Sequence, residues 1–234
     1  MSSELSGKQL SQETKDYFGK WLKVIPNALL LKYQNMLMQA TLNGISFEPN
    51  GGKVFKAFKE CHLDDCKAVL LFQDPYPQHG IATGIACANN KESKDFKKIS
   101  PSLQVLKNSV LSFEGKKEDA NFDLSLLSWE KQGILMLNSA LTVQTDRPGS
   151  HSDAWKPFIA HTLWNLGLYK PNLFFGLFGK QAWDFKRFLP EKAKVVYEYH
   201  PAYYARNNAN MPVKMWQELT DYCRETFNQE LSLS

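Results

Sequence analysis

The chain has 234 residues, 43% of them hydrophobic, enough to bury one substantial core in a single domain over 1–234. Its 28 Lys and Arg against 24 Asp and Glu leave a net charge of +4, which permits a polyanionic partner without demanding one. No apolar run approaches the roughly 18 residues that a membrane-spanning helix needs, and the opening "MSSELSGKQLSQETKDYF" is polar, so a membrane role is not expected and a cytoplasmic setting without a secretion signal is.

Residues 8–44 place apolar side chains at three- and four-residue steps, interrupted at Pro26, which predicts a helical N-terminal extension within residues 1–50 that packs on the rest. After "EPNGGK" the texture changes. "CHLDDC" (61–66) clusters two cysteines, a histidine and two aspartates, yet offers no second ligand pair at a zinc spacing, so no metal is expected. With Cys87 and Cys223 these cysteines are irregularly scattered, as reduced thiols are, and do not form a disulfide framework. Four short, nearly all apolar runs follow: "KAVLLF" (67–72), "GILMLN" (133–138), "NLFFGLF" (172–178) and "KVVYEY" (194–199). Such runs mark strands buried on both faces of a parallel sheet. Helical stretches are predicted at 101–112, 124–132, 155–168, 180–189 and 212–230, with start and stop residues in "SPSL" and "SLLSWEKQG". The alternation predicts an α/β fold, a three-layer α/β/α sandwich around a small, mainly parallel four-stranded sheet. Flexibility is expected at the N-terminus, at 90–98 and in "EGKKEDA" (114–120).

The residues after each strand carry the chemistry. The first strand runs into Gln73-Asp74-Pro75-Tyr76, the second ends in Asn138 before "SALTVQTDRPGSH", the third runs into Gly179-Lys180, and the fourth into His200-Pro201. In open α/β sheets, ligands bind outside the carboxyl ends of the strands. An acid, an amide, a glycine with a base, and a histidine are therefore expected on one edge. Singly, each has a plain structural reading, Asp74 as a turn former, Asn138 as a cap and His200 as a satisfied core histidine. Four at four successive strand ends point to a site.

"QDPYP", "TGIACAN", "SWEKQGILMLNSALTV", "GSH" and "YHPA" occur in the order of the family 1 uracil-DNA glycosylases, and residues 65–216 resemble that family. The resemblance implies cleavage of an N-glycosidic bond in DNA, with DNA as partner, no cofactor, and no required protein partner, so that a monomer is expected. It assigns Asp74 to stabilising the sugar cation and orienting water, and His200 to donating a hydrogen bond to charge on the departing base. Asn138 would read the base edge, Tyr76 would crowd C5, and Gln73 would present main chain to the base. Pro75 would stiffen the turn, and His151 would support the site. Ser102, Gly179 and Lys180 would meet DNA, together with Tyr203, Tyr204 and Arg206.

The chain departs from the family at several of these places. Cys87 stands where the family stacks a phenylalanine on the base, which opens a pocket face and forfeits about 1–3 kcal/mol of stacking. Ala202 and Lys180 replace phosphate-gripping serines, Tyr203 and Tyr204 stand near the family's intercalating leucine, and Pro77 replaces a histidine. Three readings follow: a uracil-DNA glycosylase of base excision repair, a glycosylase for a bulkier modified pyrimidine in antiviral defence, and a non-catalytic DNA-binding scaffold.

Overall fold

The computed structural model describes residues 9–89, 99–118 and 121–234. The segments expected to be flexible at the N-terminus and at 90–98 lie largely or wholly outside these residues, as does the end of "EGKKEDA".

Four parallel strands, β1 (Ala68–Phe72), β2 (Ile134–Asn138), β3 (Phe174–Phe178) and β4 (Lys194–Glu198), form one sheet in the spatial order β2-β1-β3-β4. Register pairs Phe72 with Asn138, Leu71 with Leu177, and Phe178 with Glu198, so the strand ends are level. Because side chains alternate along a strand, the sheet feeds two cores. Val69, Leu71, Leu135, Leu137, Phe175 and Leu177 pack on one face against α2 (Asn27–Leu42), α3 (Lys56–Glu60) and α6 (Ser152–Tyr169). Leu70, Phe72, Met136, Phe174 and Phe178 pack on the other, against α4 (Pro101–Phe113), α5 (Leu127–Lys131) and α9 (Lys214–Phe227). The three-layer sandwich is as expected. None of the described helices is long and apolar enough to cross a membrane.

Element boundaries differ where side chains compete for the backbone. The N-terminal helical stretch does break at Pro26, giving α1 (Gln12–Phe18), a 3₁₀ turn and α2. The helix expected from residue 124 starts only at Leu127, because the Asp123 carboxylate accepts from the Ser125 and Ser128 amides at 2.9 Å and holds 123–126 as a turn. α6 starts at Ser152 and carries Pro157 in its second turn, where one backbone bond is lost and the ring's φ still suits a helix. The stretch after β3 is helical only over α7 (Lys180–Trp183), then tightens into a 3₁₀ turn to Phe188. β4 is an edge strand, buried at Val196 and Glu198 but exposed at Tyr197, where burial on both faces is expected from its sequence. Among the described residues, α3, α8 (Pro201–Arg206) and an antiparallel ladder of Phe47–Glu48 with Val143–Gln144 escape the periodicity.

Gly133 joins α5 to β2 at φ +90°, and its carbonyl accepts from the Lys67 and Ala68 amides, tying β2 to β1 at their starts. A Cβ there would lie 2.0 Å from the Asp65 carbonyl oxygen, whereas one at Gly115, also at positive φ, meets nothing within 4 Å. Gly133→Ala is therefore expected to cost at least ~3 kcal/mol, and Gly115→Ala only the ~1–2 kcal/mol of left-handed strain. Urea unfolding of the two variants checks the difference.

Candidate active site

The turn 73–77 leaves β1 and is bolted to the loop that leaves β2. The Ser139 amide donates to the Phe72 carbonyl at 2.9 Å, and the Ala140 amide and Ser139 hydroxyl donate to the Gln73 carbonyl at 3.0 and 2.8 Å. Further out, the Asp146 amide donates to the Pro77 carbonyl at 3.0 Å, and the Gly149 amide to Asp74 Oδ2 at 2.6 Å. Two rigid prolines leave few donors of their own in this turn, so its shape is imposed from the neighbouring loop. The site is thus carried by two strand ends acting as one body.

Asp74, Tyr76, Cys87, Ser102, Asn138 and His200 line one small, narrow pocket. These residues, distant in sequence, are brought together as the strand-end argument expects. Phe72 lines the pocket as well, stacked on Phe178 with centroids 4.4 Å apart and touching the His200 ring edge-on at 6.0 Å. An aromatic surface is therefore present even though Cys87 supplies none. Cys87 itself sits at φ +64°, and burial pushes its thiol up to about 12, so it stays protonated.

Each polar group is held in a defined state. Burial raises Asp74 above the ordinary carboxylate value, and the hydrogen bonds from Gly149 and its own amide only partly oppose this. His200 caps α8: its Nδ1 accepts from the Ala202 amide at 3.1 Å, and Pro201 occupies the first helical position, which has no donor to satisfy. With Nδ1 an acceptor, the proton sits on Nε2 and is free to be donated. Burial, and next the charge of Arg206, lower His200 to about 4, so the ring is neutral. Asn138 is 7% exposed and its Oδ1 has no hydrogen-bond partner among the described residues. Such an orphaned acceptor costs about 1–3 kcal/mol unless a ligand supplies a donor.

The wall beside Asp74 is clamped. The Tyr76 hydroxyl donates to the Cys87 carbonyl at 2.8 Å and accepts from the Ser100 hydroxyl at 2.6 Å. Ser100 also caps α4, accepting from the Leu103 amide at 3.3 Å. Beyond Tyr76 an open groove, lined by Pro77, Ile81, Pro101, Pro148 and Arg206, leads away from the pocket.

Other expected site residues take different places. Gln73 is outside the pocket lining, and its carbonyl is consumed by Ser139 and Ala140. Pro75 is buried in the turn and does line the pocket, between Asp74 and Tyr76. His151 also lies outside, its Nδ1 2.9 Å from the Thr142 hydroxyl, which accepts from Trp155 Nε1 at 2.7 Å. That chain braces the β2 loop, in line with a supporting role. Gly179, at φ +87°, is a spacer beneath His200, since a Cβ there would lie 3.0 Å from the histidine Cβ. Lys180, Tyr203 and Arg206 are exposed, as contacts with a partner must be. Tyr204 is the correction. It is 7% exposed, with its hydroxyl donating to Glu198 Oε1 at 2.6 Å, because the turn of α8 directs it inward against the sheet end. Phe72, Ser100 and Gly149 are not legible in the sequence as site residues; the Ser100 cap signal is, but not its reach to a ring 24 positions away. Among the described residues no group of three or more His, Cys, Asp and Glu is placed to hold a metal.

The two shifted groups make the site a burden on stability. The folded protein holds the Asp74 proton more tightly than the unfolded chain does, so the ionised carboxylate is destabilising at pH 7 and neutral once the pH falls below about 4. Asp74→Asn keeps an acceptor for Gly149 and is expected to raise the Tm at pH 7, with the gain gone by pH 3. For His200 the folded value lies below the unfolded one, so stability is lost as pH falls from about 6.5 to about 4. His200→Asn should flatten that stretch of a calorimetric Tm–pH curve.

Comparison with known proteins places this geometry. The family described as the uracil DNA glycosylase superfamily matches residues 58–222. A uracil-DNA glycosylase of Azobacteroides pseudotrichonymphae is 31% identical over 180 residues, 76% of this chain and 79% of that protein. One from Campylobacter jejuni is 33% identical over 199 residues, 80% of each chain. Among solved structures, mimivirus uracil-DNA glycosylase superposes with a TM-score of 0.67 at 21% identity, covering 82% of this chain and 69% of that one. A mutant form of the UNG protein from Nitratifractor salsuginis gives 0.60 at 18% identity, over 92% and 93%, and both are likenesses of fold alone. The chain belongs to the uracil-DNA glycosylase superfamily and is a DNA glycosylase.

Proposed function

We propose that the protein excises uracil from DNA and leaves an abasic site for base excision repair. The observation that carries this reading is the clamped Tyr76. A ring pinned at its hydroxyl by both Cys87 and Ser100 has no freedom to retreat, so the pocket has no room for a substituent at C5 of a pyrimidine. This supports a base with only hydrogen at C5, as in uracil, over thymine and cytosines modified at C5; unmodified cytosine is not separated from uracil by this contact. The Asn138 acceptor without a partner supports the reading, because the imide N–H of uracil is a matching donor.

The chemistry follows from the states of the side chains. The flipped-out nucleotide enters the pocket. The bond between C1′ and the base nitrogen breaks, and its electron pair leaves with the base. His200 donates Nε2–H to the oxygen on which this charge collects; such a donor is worth about 3 kcal/mol. A neutral donor gives up no proton and needs none returned. The Asp74 carboxylate faces the cationic sugar and orients the water whose oxygen bonds to C1′, while one water proton passes to solvent and the base regains one. The scheme calls for no metal, redox cofactor or second chain. Ser102, at the start of α4, and Lys180, Arg206 and Tyr203 on the rim would contact the DNA strand, Ser102 and the two cations through phosphates.

Cys87 favours the reading as a glycosylase for a bulkier base, since it leaves one face of the pocket without a ring. The Tyr76 clamp and the Phe72 ring weigh against it. A non-catalytic scaffold would have no use for a raised carboxylate and a neutral histidine in one pocket.

Alkaline strand cleavage after incubation with matched oligonucleotides tests the choice. Product is expected from uracil, and none from thymine, hydroxymethylcytosine or its glucosylated form; product from a modified base alone would replace this reading with the second. Asp74→Asn is expected to lower single-turnover excision about 10²–10⁴-fold with DNA binding nearly unchanged. Ser100→Ala, which frees the Tyr76 hydroxyl on one side, is expected to raise the thymine-to-uracil excision ratio, an effect that loss of a helix cap alone does not produce.

A further inference from the structure

One wall of the pocket is a ring that belongs to the sheet. Phe72, the last residue of β1, lines the pocket although it is only 1% exposed. Phe178, the last residue of β3, stacks on it with planes 6° from parallel and does not itself line the pocket. The Phe72 ring is thus backed by a second ring on its core side. Its backbone is fixed as well, because its carbonyl accepts from the Ser139 amide at 2.9 Å and it stands in register with Asn138 on β2. Partners in register point their side chains to the same face of a sheet, so Phe72 and Asn138 are neighbours at the pocket. The order β2-β1-β3-β4 then sets Phe72 between the site's amide and its histidine. Asn138 ends β2 on one side; His200 follows β4 on the other, its ring perpendicular to Phe72 at 6.0 Å. β3 runs into Gly179, which offers no side chain. A planar ligand held by both Asn138 and His200 therefore bridges the end of β1, and the side chain beneath it is Phe72.

We propose that Phe72 is the aromatic contact for the face of the extruded base, so that in this chain a strand residue of the sheet core, and not the loop residue at position 87, sets affinity for the base. Two other rings line the pocket, and both have other tasks. His200 is committed to donating through Nε2, and Tyr76 is pinned at its hydroxyl by Cys87 and Ser100. Cys87 brings a thiol. Phe72 has no polar atom in its side chain, so an apolar surface is all it can offer, and the π face of a base is the complement of such a surface. Locked on Phe178, the ring is ordered before the base arrives, and binding spends nothing on fixing it. The inference rests on the proposed function in taking the base to be held by Asn138 and His200.

The test is steady-state kinetics on an oligonucleotide carrying the base that wild type removes, together with inhibition by the same base free in solution. Wild type is compared with Phe72→Leu and with Phe178→Leu, which takes away the ring of the stacked pair that lies outside the pocket, their Tm values checked alongside. A contact made equally in ground and transition states raises KM and spares kcat. Phe72→Leu is expected to raise KM and the inhibition constant of the free base about tenfold each, with kcat within about threefold. Phe178→Leu is expected to leave both constants within about twofold of wild type at a comparable loss of Tm. A second measurement needs no variant. In wild-type protein deuterated except at its phenylalanine rings, saturation of those rings should pass to H6 of the bound base, since among the described residues Phe72 is the one phenylalanine lining the pocket. Unchanged constants in a folded Phe72→Leu, equal losses in the two variants, or no transfer to the base would overturn the proposal. A wrong substrate reading shows in wild type, as removal of a base other than uracil, whereas a wrong contact residue shows only in the variants and the transfer.

Discussion

Everything at the site depends on the seam between the turn after β1 and the loop after β2. Hydrogen bonds from Ser139, Ala140, Asp146 and Gly149 run one way across it, from the loop to the turn. The turn supplies carbonyls and a carboxylate; the loop supplies donors. This polarity explains why a segment with two prolines can be rigid without secondary structure of its own. It also places the carboxylate of Asp74 under direct control of a neighbour from another strand, so that a buried charge is oriented by backbone and needs no ionic partner. The proposed chemistry would use this, because a cation beside Asp74 would neutralise the charge that is to face the sugar.

The same economy governs His200. One nitrogen closes the first turn of α8, and by doing so commits the other to be a donor. Fold and chemistry share an atom. The Phe178–Phe72–His200 contacts then bind the ends of β3, β1 and β4 into a single apolar shelf under the pocket. An aromatic ring inside the sheet's own core thus lines the site.

How much of this can be read from sequence depends on the range of the interactions. Uniform apolar runs at 67–72, 133–138 and 172–178 disclose buried parallel strands, and the residues after them converge as topology demands. The fourth run hides an edge strand, since its outward Tyr197 and Tyr199 are as apolar in appearance as a core residue. Asp123 shows how a side chain can delay a helix that periodicity starts too early. The pocket's clamp is out of reach altogether. Tyr76 stands 11 positions from Cys87 and 24 from Ser100, and nothing local to any of them announces the other two. Tyr204 escapes for a related reason: in "HPAYYAR" two adjacent tyrosines look alike, and only the helical turn decides that one faces solvent and the other Glu198.

Gly179 carries a consequence for the evolution of such a sheet. β3 stands between β1, which brings Asp74, and β4, which brings His200, so these two pocket residues come from either side of a strand end that contributes neither. That end carries no side chain, and a Cβ there would lie 3.0 Å from the Cβ of the histidine. A descendant with alanine there could keep its strands, cores and helices, yet its histidine would have to give by a few tenths of an ångström and its backbone would be strained at φ +87°. One methyl group at a strand end thus bears on where the pocket's histidine can stand, with no change to the scaffold that carries it.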